Sequence, residues 1–251
     1  MLFTNTHKNR NQLLALLALS LTLSACSHTK TATSSNDRFE RINRSVFKVN
    51  NALDKTLLKP VAKVYKKVTP EIVDTSITNF FANLDEVPTT LNSLLQLKGE
   101  AALDSTGRFL LNSTLGIAGL IDIASESGIT KHDEDFGQTL AKWGVPSGPY
   151  LMLPFLGPST VRDASARLTV DQVTSLRSYS DYSIELTALY LLDMRADLLS
   201  AEAVLEGFSD DQYSVLRDAW LQRREYLIND GKTDVKADTD LIDELEALDA
   251  E

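Results

Sequence analysis

Apolar residues recur every three or four positions along most of this chain, and that period forecasts helices. Between residues 37 and 59, Phe39, Ile42, Val46, Val49, Leu53 and Leu57 form one stripe, while Arg38, Arg41, Arg44 and Lys48 fall elsewhere on the wheel. Asn36 or Asp37 can cap this helix, and Pro60 predicts its end. A short second helix then carries Val61, Val64, Tyr65 and Val68. Thr69-Pro70 reads as an N-cap followed by proline at the first helical position. The third helix holds Ile72, Val73, Ile77, Phe80, Phe81 and Leu84, and is expected to stop before Pro88, with Leu91, Leu94, Leu95 and Leu97 in another.

The pattern changes after residue 101. Residues 109–124 are apolar almost all the way round, interrupted by Gly116 and Gly119. A helix apolar on every face belongs in a core or in lipid. Sixteen residues at 1.5 Å rise reach about 24 Å, short of the ~30 Å hydrocarbon thickness, so such a helix cannot cross a bilayer alone. Core and single-leaflet placements both remain open here. Residues 137–158 are rich in glycine and proline, which forbids a long helix. Two short runs, 139–143 and 150–153, suggest a small hairpin around Val145-Pro146-Ser147-Gly148. Helix returns over 183–206, and Ser209 with Gln212 reads as a capping box for one more, ending near Gly231. The fold class is therefore mainly α, as a single helical domain over 37–231 with one short hairpin or irregular segment.

The two ends read differently. Lys8 and Arg10 precede an apolar run, Leu13 to Leu23, that is too short to span a bilayer and suits a signal peptide over residues 1–25. Leu23-Ser24-Ala25-Cys26 resembles the lipobox of bacterial lipoproteins, which makes Cys26 the lipidation site and the mature N-terminus. It is the single cysteine of the chain. Two or three acyl chains hold a protein permanently, at about 0.8 kcal/mol per buried methylene. Ser27 is not the aspartate that typically retains lipoproteins at the inner membrane, so that resemblance implies the periplasmic face of the outer membrane of a Gram-negative bacterium. Residues 26–36 read as a lipidated tether, and the acidic residues 232–251 as a largely disordered tail.

Net charge is −10, and the first 25 residues carry two basic groups and no acid, so the mature chain is more acidic still. Nucleic-acid binding is disfavoured, since it needs a basic face. Enzyme chemistry has little to stand on. His7 leaves with the signal, His28 lies in the tether, and His132 is the one candidate base. No nucleophile elbow, zinc-protease helix or phosphate loop is present. Zinc lacks its nitrogen and sulfur ligands, and His132-Asp133-Glu134-Asp135 lacks EF-hand spacing, so no metal is expected. Asp122 is either a functional carboxylate in a lipid-facing site or a cap on neighbouring backbone.

Several strings, taken in order, resemble the MlaA (VacJ) family of outer-membrane lipoproteins. They are Asp37-Arg-Phe-Glu-Arg-Ile-Asn-Arg44, Asn79-Phe-Phe-Ala-Asn-Leu84, Arg108-Phe-Leu-Leu-Asn112 with Gly116 and Gly119-Leu-Ile-Asp122, and Asp135-Phe-Gly-Gln-Thr-Leu140 with Trp143-Gly-Val. Gly148-Pro-Tyr, Leu153-Pro, Gly157-Pro, Arg162-Asp163 and Gln222-Arg-Arg-Glu-Tyr-Leu complete the set. The resemblance implies a ring-like helical body with an amphipathic channel. It implies a protein, not an enzyme, that removes phospholipids from the outer leaflet of the outer membrane. Trimeric outer-membrane porins and a soluble periplasmic phospholipid-carrier protein are the implied partners, with no cofactor beyond the acyl and diacylglycerol groups on Cys26. Drawing a phospholipid with about 30 methylenes into water costs on the order of 24 kcal/mol, so a transfer protein must shield the tails throughout. Asp122, Trp143, Tyr150, Leu153 and Arg162 are the channel or gate candidates within those strings. Trp143 and Tyr150 could equally be interfacial anchors or plain packing, and Arg162-Asp163 an internal ion pair or helix cap. The competing function is a structural envelope lipoprotein that scaffolds porins without transferring lipid.

Overall fold

The computed structural model describes residues 37–205 and 211–232. The signal peptide, Cys26, the tether, Ser209 of the expected capping box and the acidic tail from 233 onward lie outside the described residues. Helix α1 (Glu40–Leu53) passes through a π-helical turn, Asp54–Leu58, directly into α2 (Lys59–Val68). The break expected at Pro60 does not occur. Pro60 sits in the first turn of α2, where a missing N–H costs little, and the preceding Lys59 N–H reaches back five residues to Asp54. The next helix, α3 (Glu71–Leu95), begins one residue later than the sequence suggests, with Pro70 at the cap position.

Helix α3 also runs straight through Pro88, where it was expected to end. Side chains supply hydrogen bonds to the carbonyls around that proline. Thr89 and Thr90 hydroxyls donate to the carbonyls of Asp85 and Glu86 at 2.8 Å, and the Asn92 amide donates to that of Pro88 at 2.9 Å. Three residues then turn the chain into α4 (Gly99–Thr114), which packs along α3. The all-apolar helix expected over 109–124 is not formed. Helix stops at Thr114, and the chain winds through Ile117, Ala118 and Gly119 at positive φ before the single turn α5 (Ile123–Glu126). Glycine is required at Gly116, where a Cβ would lie 2.1 Å from the Ile121 carbonyl oxygen.

The hairpin exists but uses a different partner. Strand β1 (Tyr150–Leu153) pairs antiparallel with β2 (Gly157–Thr160), Tyr150 opposite Thr160 and Leu153 opposite Gly157. The run at 139–143 instead falls in α6 (Phe136–Lys142) and its end, because Asp135 caps that helix by accepting from the Gln138 N–H at 2.8 Å. Thr160 caps α7 (Val161–Thr174) in the same way, and a 3-10 turn, Leu176–Tyr179, leads to α8 (Ser183–Leu205). Asp211 caps the final helix, α9 (Gln212–Ile228), accepting from Ser214. Helix α8 packs on α2, and α6 on α7.

Candidate lipid-facing surface and interior polar networks

Polarity in this fold is inverted. Among the described residues no leucine, isoleucine or valine is fully buried, and seven of the eleven buried apolar residues are alanine. The apolar stripe of α1 and α2 points outward: Ile42, Val49, Leu57 and Val64 are 57–62% exposed. Their spacings are seven, eight and seven, and the π turn absorbs the extra residue, keeping the stripe in phase. Ile72 at 77% and Leu97 at 92% continue the pattern.

The inward face of the same helices is polar. Tyr65 donates to Asp193 on α8 at 3.1 Å, Thr78 donates to the same carboxylate at 3.0 Å, and Lys59 pairs with Glu202 at 3.0 Å. Arg195 grips Asp54 through two nitrogens at 2.6 and 2.8 Å. On α1, Asn43 donates to the Tyr150 carbonyl at 3.0 Å and accepts from the Met152 N–H at 2.9 Å. One further heptad on, Asn50 repeats this with Leu153 and Phe155 at 2.9 and 3.0 Å. Two amides thus stand in for a neighbouring strand and satisfy the edge of β1.

Two guanidinium groups organise the interior. Arg108 on α4, 1% exposed, donates to Glu86 on α3 at 2.6 Å, to both Asp122 oxygens at 3.2 and 3.0 Å, and to the Ile129 carbonyl at 3.0 Å. It ties the loop after α4 back onto the helix pair. Burial pushes the Glu86 carboxyl upward despite that partner. At Asp122 burial also tends to raise the pKa, but bonds from Ser125, Asn112 and Arg108 outweigh it and hold the group at about 2. Arg224 on α9 bridges Asp135, at the head of α6, and Asp163, at the head of α7, with contacts of 2.6 to 3.1 Å. Gly137 leaves the space for it, since a Cβ there would lie 2.4 Å from Arg224 Nη2. An aspartate at a helix N-terminus is also favoured by the helix dipole.

The sequence-derived candidates are distributed around these networks. Asp122 caps α5 and belongs to the Arg108 network. Arg162 is 6% exposed and donates to Asp163 at 3.0 Å and to the Val145 carbonyl at 3.3 Å, so it holds the chain ahead of β1. Tyr150 is 4% exposed and packs edge-on to Tyr213 and Trp220. Leu153 is half-buried, its carbonyl bonded to Asn50. Trp143 is 55% exposed, packs edge-on to Phe136, and donates its indole N–H to the Leu95 carbonyl at the end of α3. His132 pairs with Asp104 at 2.9 Å beside a 780 Å³ cleft that also holds Lys98 and Glu134. Asn43, Asn50, Glu86 and Arg224 were not singled out from sequence, although Asn43 and Arg224 sit inside strings already quoted.

An outward apolar stripe over an interior of hydrogen-bonded charge defines a helical protein of inverted polarity. Among the described residues, no helix is long and apolar enough to cross a membrane. Residues 35–227 match the model of the MlaA lipoprotein family, and the chain belongs to that family. An uncharacterized protein of Rickettsia bellii is 34% identical over 192 residues, 75% of each chain. The intermembrane phospholipid transport system lipoprotein MlaA of Escherichia coli is 32% identical, over 78% of this chain and 80% of that one. A solved chain from work on the structural basis for maintenance of bacterial outer membrane lipid asymmetry superposes with a TM-score of 0.67 at 32% identity, over 75% of this chain and 97% of that one.

Proposed function

We propose that this chain is a lipid-anchored protein of the outer membrane that takes mislocalised phospholipid from the outer leaflet and passes it inward, maintaining lipid asymmetry. The observation that carries this reading is the inverted polarity: outward leucine, isoleucine and valine around buried Arg108, Glu86, Arg162 and Arg224. In water each outward side chain forgoes about 1.5–3 kcal/mol of burial, a cost that vanishes in a leaflet. The E. coli relative's name, an intermembrane phospholipid transport lipoprotein, agrees with this reading.

In the proposed arrangement Cys26 carries the acyl anchor, the body rests in the periplasmic leaflet beside trimeric porins, and a periplasmic carrier protein receives the lipid. The glycine- and proline-rich segment 137–158 serves as wall or gate. Arg162 holds the chain ahead of its strand, Tyr150 and Leu153 seat that strand against α1, and Trp143 offers an accessible face, while Asp122 serves the separate Arg108 network. Chemistry on the lipid forms no part of the proposal. Deleting the gene and measuring phospholipid on the cell surface tests it: accumulation, reversed by the intact gene and not by Cys26→Ala, is expected. A deletion strain with an unchanged surface, but with porins displaced, would favour the scaffolding alternative.

A further inference from the structure

Helix α3 presents Asp85 next to buried Glu86. Arg177, on the 3-10 turn before α8, donates from Nη1 to Asp85 Oδ1 at 2.8 Å, and its guanidinium carbon lies 4.0 Å from the ring centroid of Tyr190 on α8. Tyr190 is in turn held edge-on to Phe81 at 5.2 Å. This cation is oriented on one edge and one face, and its Nε and Nη2 donors meet no acceptor among the described residues. Asp85 likewise keeps one carboxylate oxygen free. The two behave as a fixed pair of opposite charges, each with bonding capacity to spare.

The Arg177 side chain is mostly covered, 16% exposed, and that of Asp85 is 39% exposed, so the pair is held by protein yet open to a ligand. Lys131, Asp133 and Arg167 act electrostatically on the same cluster. One residue on from Arg177, Ser178 lines a 540 Å³ cleft with Thr187 on its polar side and Ile184, Ala188 and Leu191 on its apolar side. The cleft lining thus begins one residue along the chain from the ion pair.

We propose that Arg177 and Asp85 form a binding site for a zwitterionic phospholipid headgroup, Arg177 taking the phosphate and Asp85 the ammonium, with Tyr190 positioning the guanidinium. The site rests on the lipid-transfer reading and adds to it a place where the headgroup is held. An arginine fork with two spare donors suits a phosphate better than a point charge would.

The test uses the purified full chain in detergent and dihexanoyl phosphatidylethanolamine, dihexanoyl phosphatidylglycerol, dihexanoylglycerol and free phosphoethanolamine as probes. Arg177→Gln is expected to weaken both phospholipids about tenfold or more, with dihexanoylglycerol unchanged. Asp85→Asn is expected to weaken phosphatidylethanolamine and leave phosphatidylglycerol, which has no ammonium, equal or tighter. Arg177→Lys, which keeps charge and fold, should recover part of the phospholipid binding. Phospholipid binding unchanged in Arg177→Gln, or a loss that includes dihexanoylglycerol, overturns the site while leaving lipid transfer standing. Phosphoethanolamine binding as tightly as the lipid would make this a free-phosphate site and overturn the lipid assignment. Wild-type protein that binds no probe at all would remove the transfer reading as well.

Discussion

The run α1–α2 and the pair α3–α4 break the ordinary rule of polarity at opposite ends, one at the surface and one in the interior. On α1–α2 the regular apolar stripe is turned out, while Asn43, Asn50 and Tyr65 make the internal contacts. On α3–α4 the interior is occupied by Glu86, Asn92, Ser105 and Arg108. Either inversion alone could be a local oddity. Together they fit the proposed seat in a leaflet, with hydrogen-bonded charge supplying the internal order. Apolar attraction between helices is weak when lipid tails compete for the same surfaces, so polar contacts must specify which helices meet.

The largest effect is expected at the centre of the α3–α4 pair. Arg108→Ala strands Glu86 as a buried carboxylate and should cost about 3–5 kcal/mol, read as a fall in thermal midpoint in detergent. Replacing Arg44, paired with Asp211 at a solvent-accessible site, by alanine should cost far less stability. Equal losses at the two would erase the distinction between an interior framework and surface pairing. Next in size is Asn43→Ala, which leaves the Tyr150 carbonyl and Met152 N–H without their partner and should cost about 2 kcal/mol. Limited proteolysis at the hairpin reads the same change.

Asp122 gives a pH signature. Its folded pKa of about 2 lies below the ordinary 3.8, so its contribution is fully present above about pH 4 and is lost as pH falls towards 2. After solvent screening this amounts to about 1 kcal/mol. Asp122→Asn should flatten that acid limb, and an unaltered acid titration of unfolding would exclude the network as its source. The smallest stability effect belongs to the outward stripe. Ile72→Ser is expected to change stability in detergent by no more than about 0.5 kcal/mol while reducing retention in membranes.

Much of the fold was legible because helical periodicity does not depend on which side the solvent lies. The stripe through Ile42 and Val49 marks a helix whether it faces a core or lipid. Its direction was not legible, since the same spacing serves both. Pro60 and Pro88 read as stops from sequence, but a π turn precedes the first, and the second removes a single backbone bond from a long helix packed along α4. The apolar run 109–124 hid a turn that only close packing at Gly116 reveals. Arg108, Asp122, Asp135, Asp163 and Arg224 all lie in the strings that resemble the family, yet their shared role is to bond one another. Their partnerships span up to 89 residues and leave no mark in local spacing. The Arg177–Asp85 pair, 92 residues apart, lay outside those strings altogether.

Whether the outward stripe lies in hydrocarbon can be measured with a nitroxide label at Val64, compared with one at neighbouring Lys63, in outer-membrane lipid. The Val64 label should be reached readily by oxygen and poorly by an aqueous nickel chelate, with the reverse at Lys63. Equal access of the chelate to both positions would contradict a lipid-seated body and leave the exposed stripe without a cause.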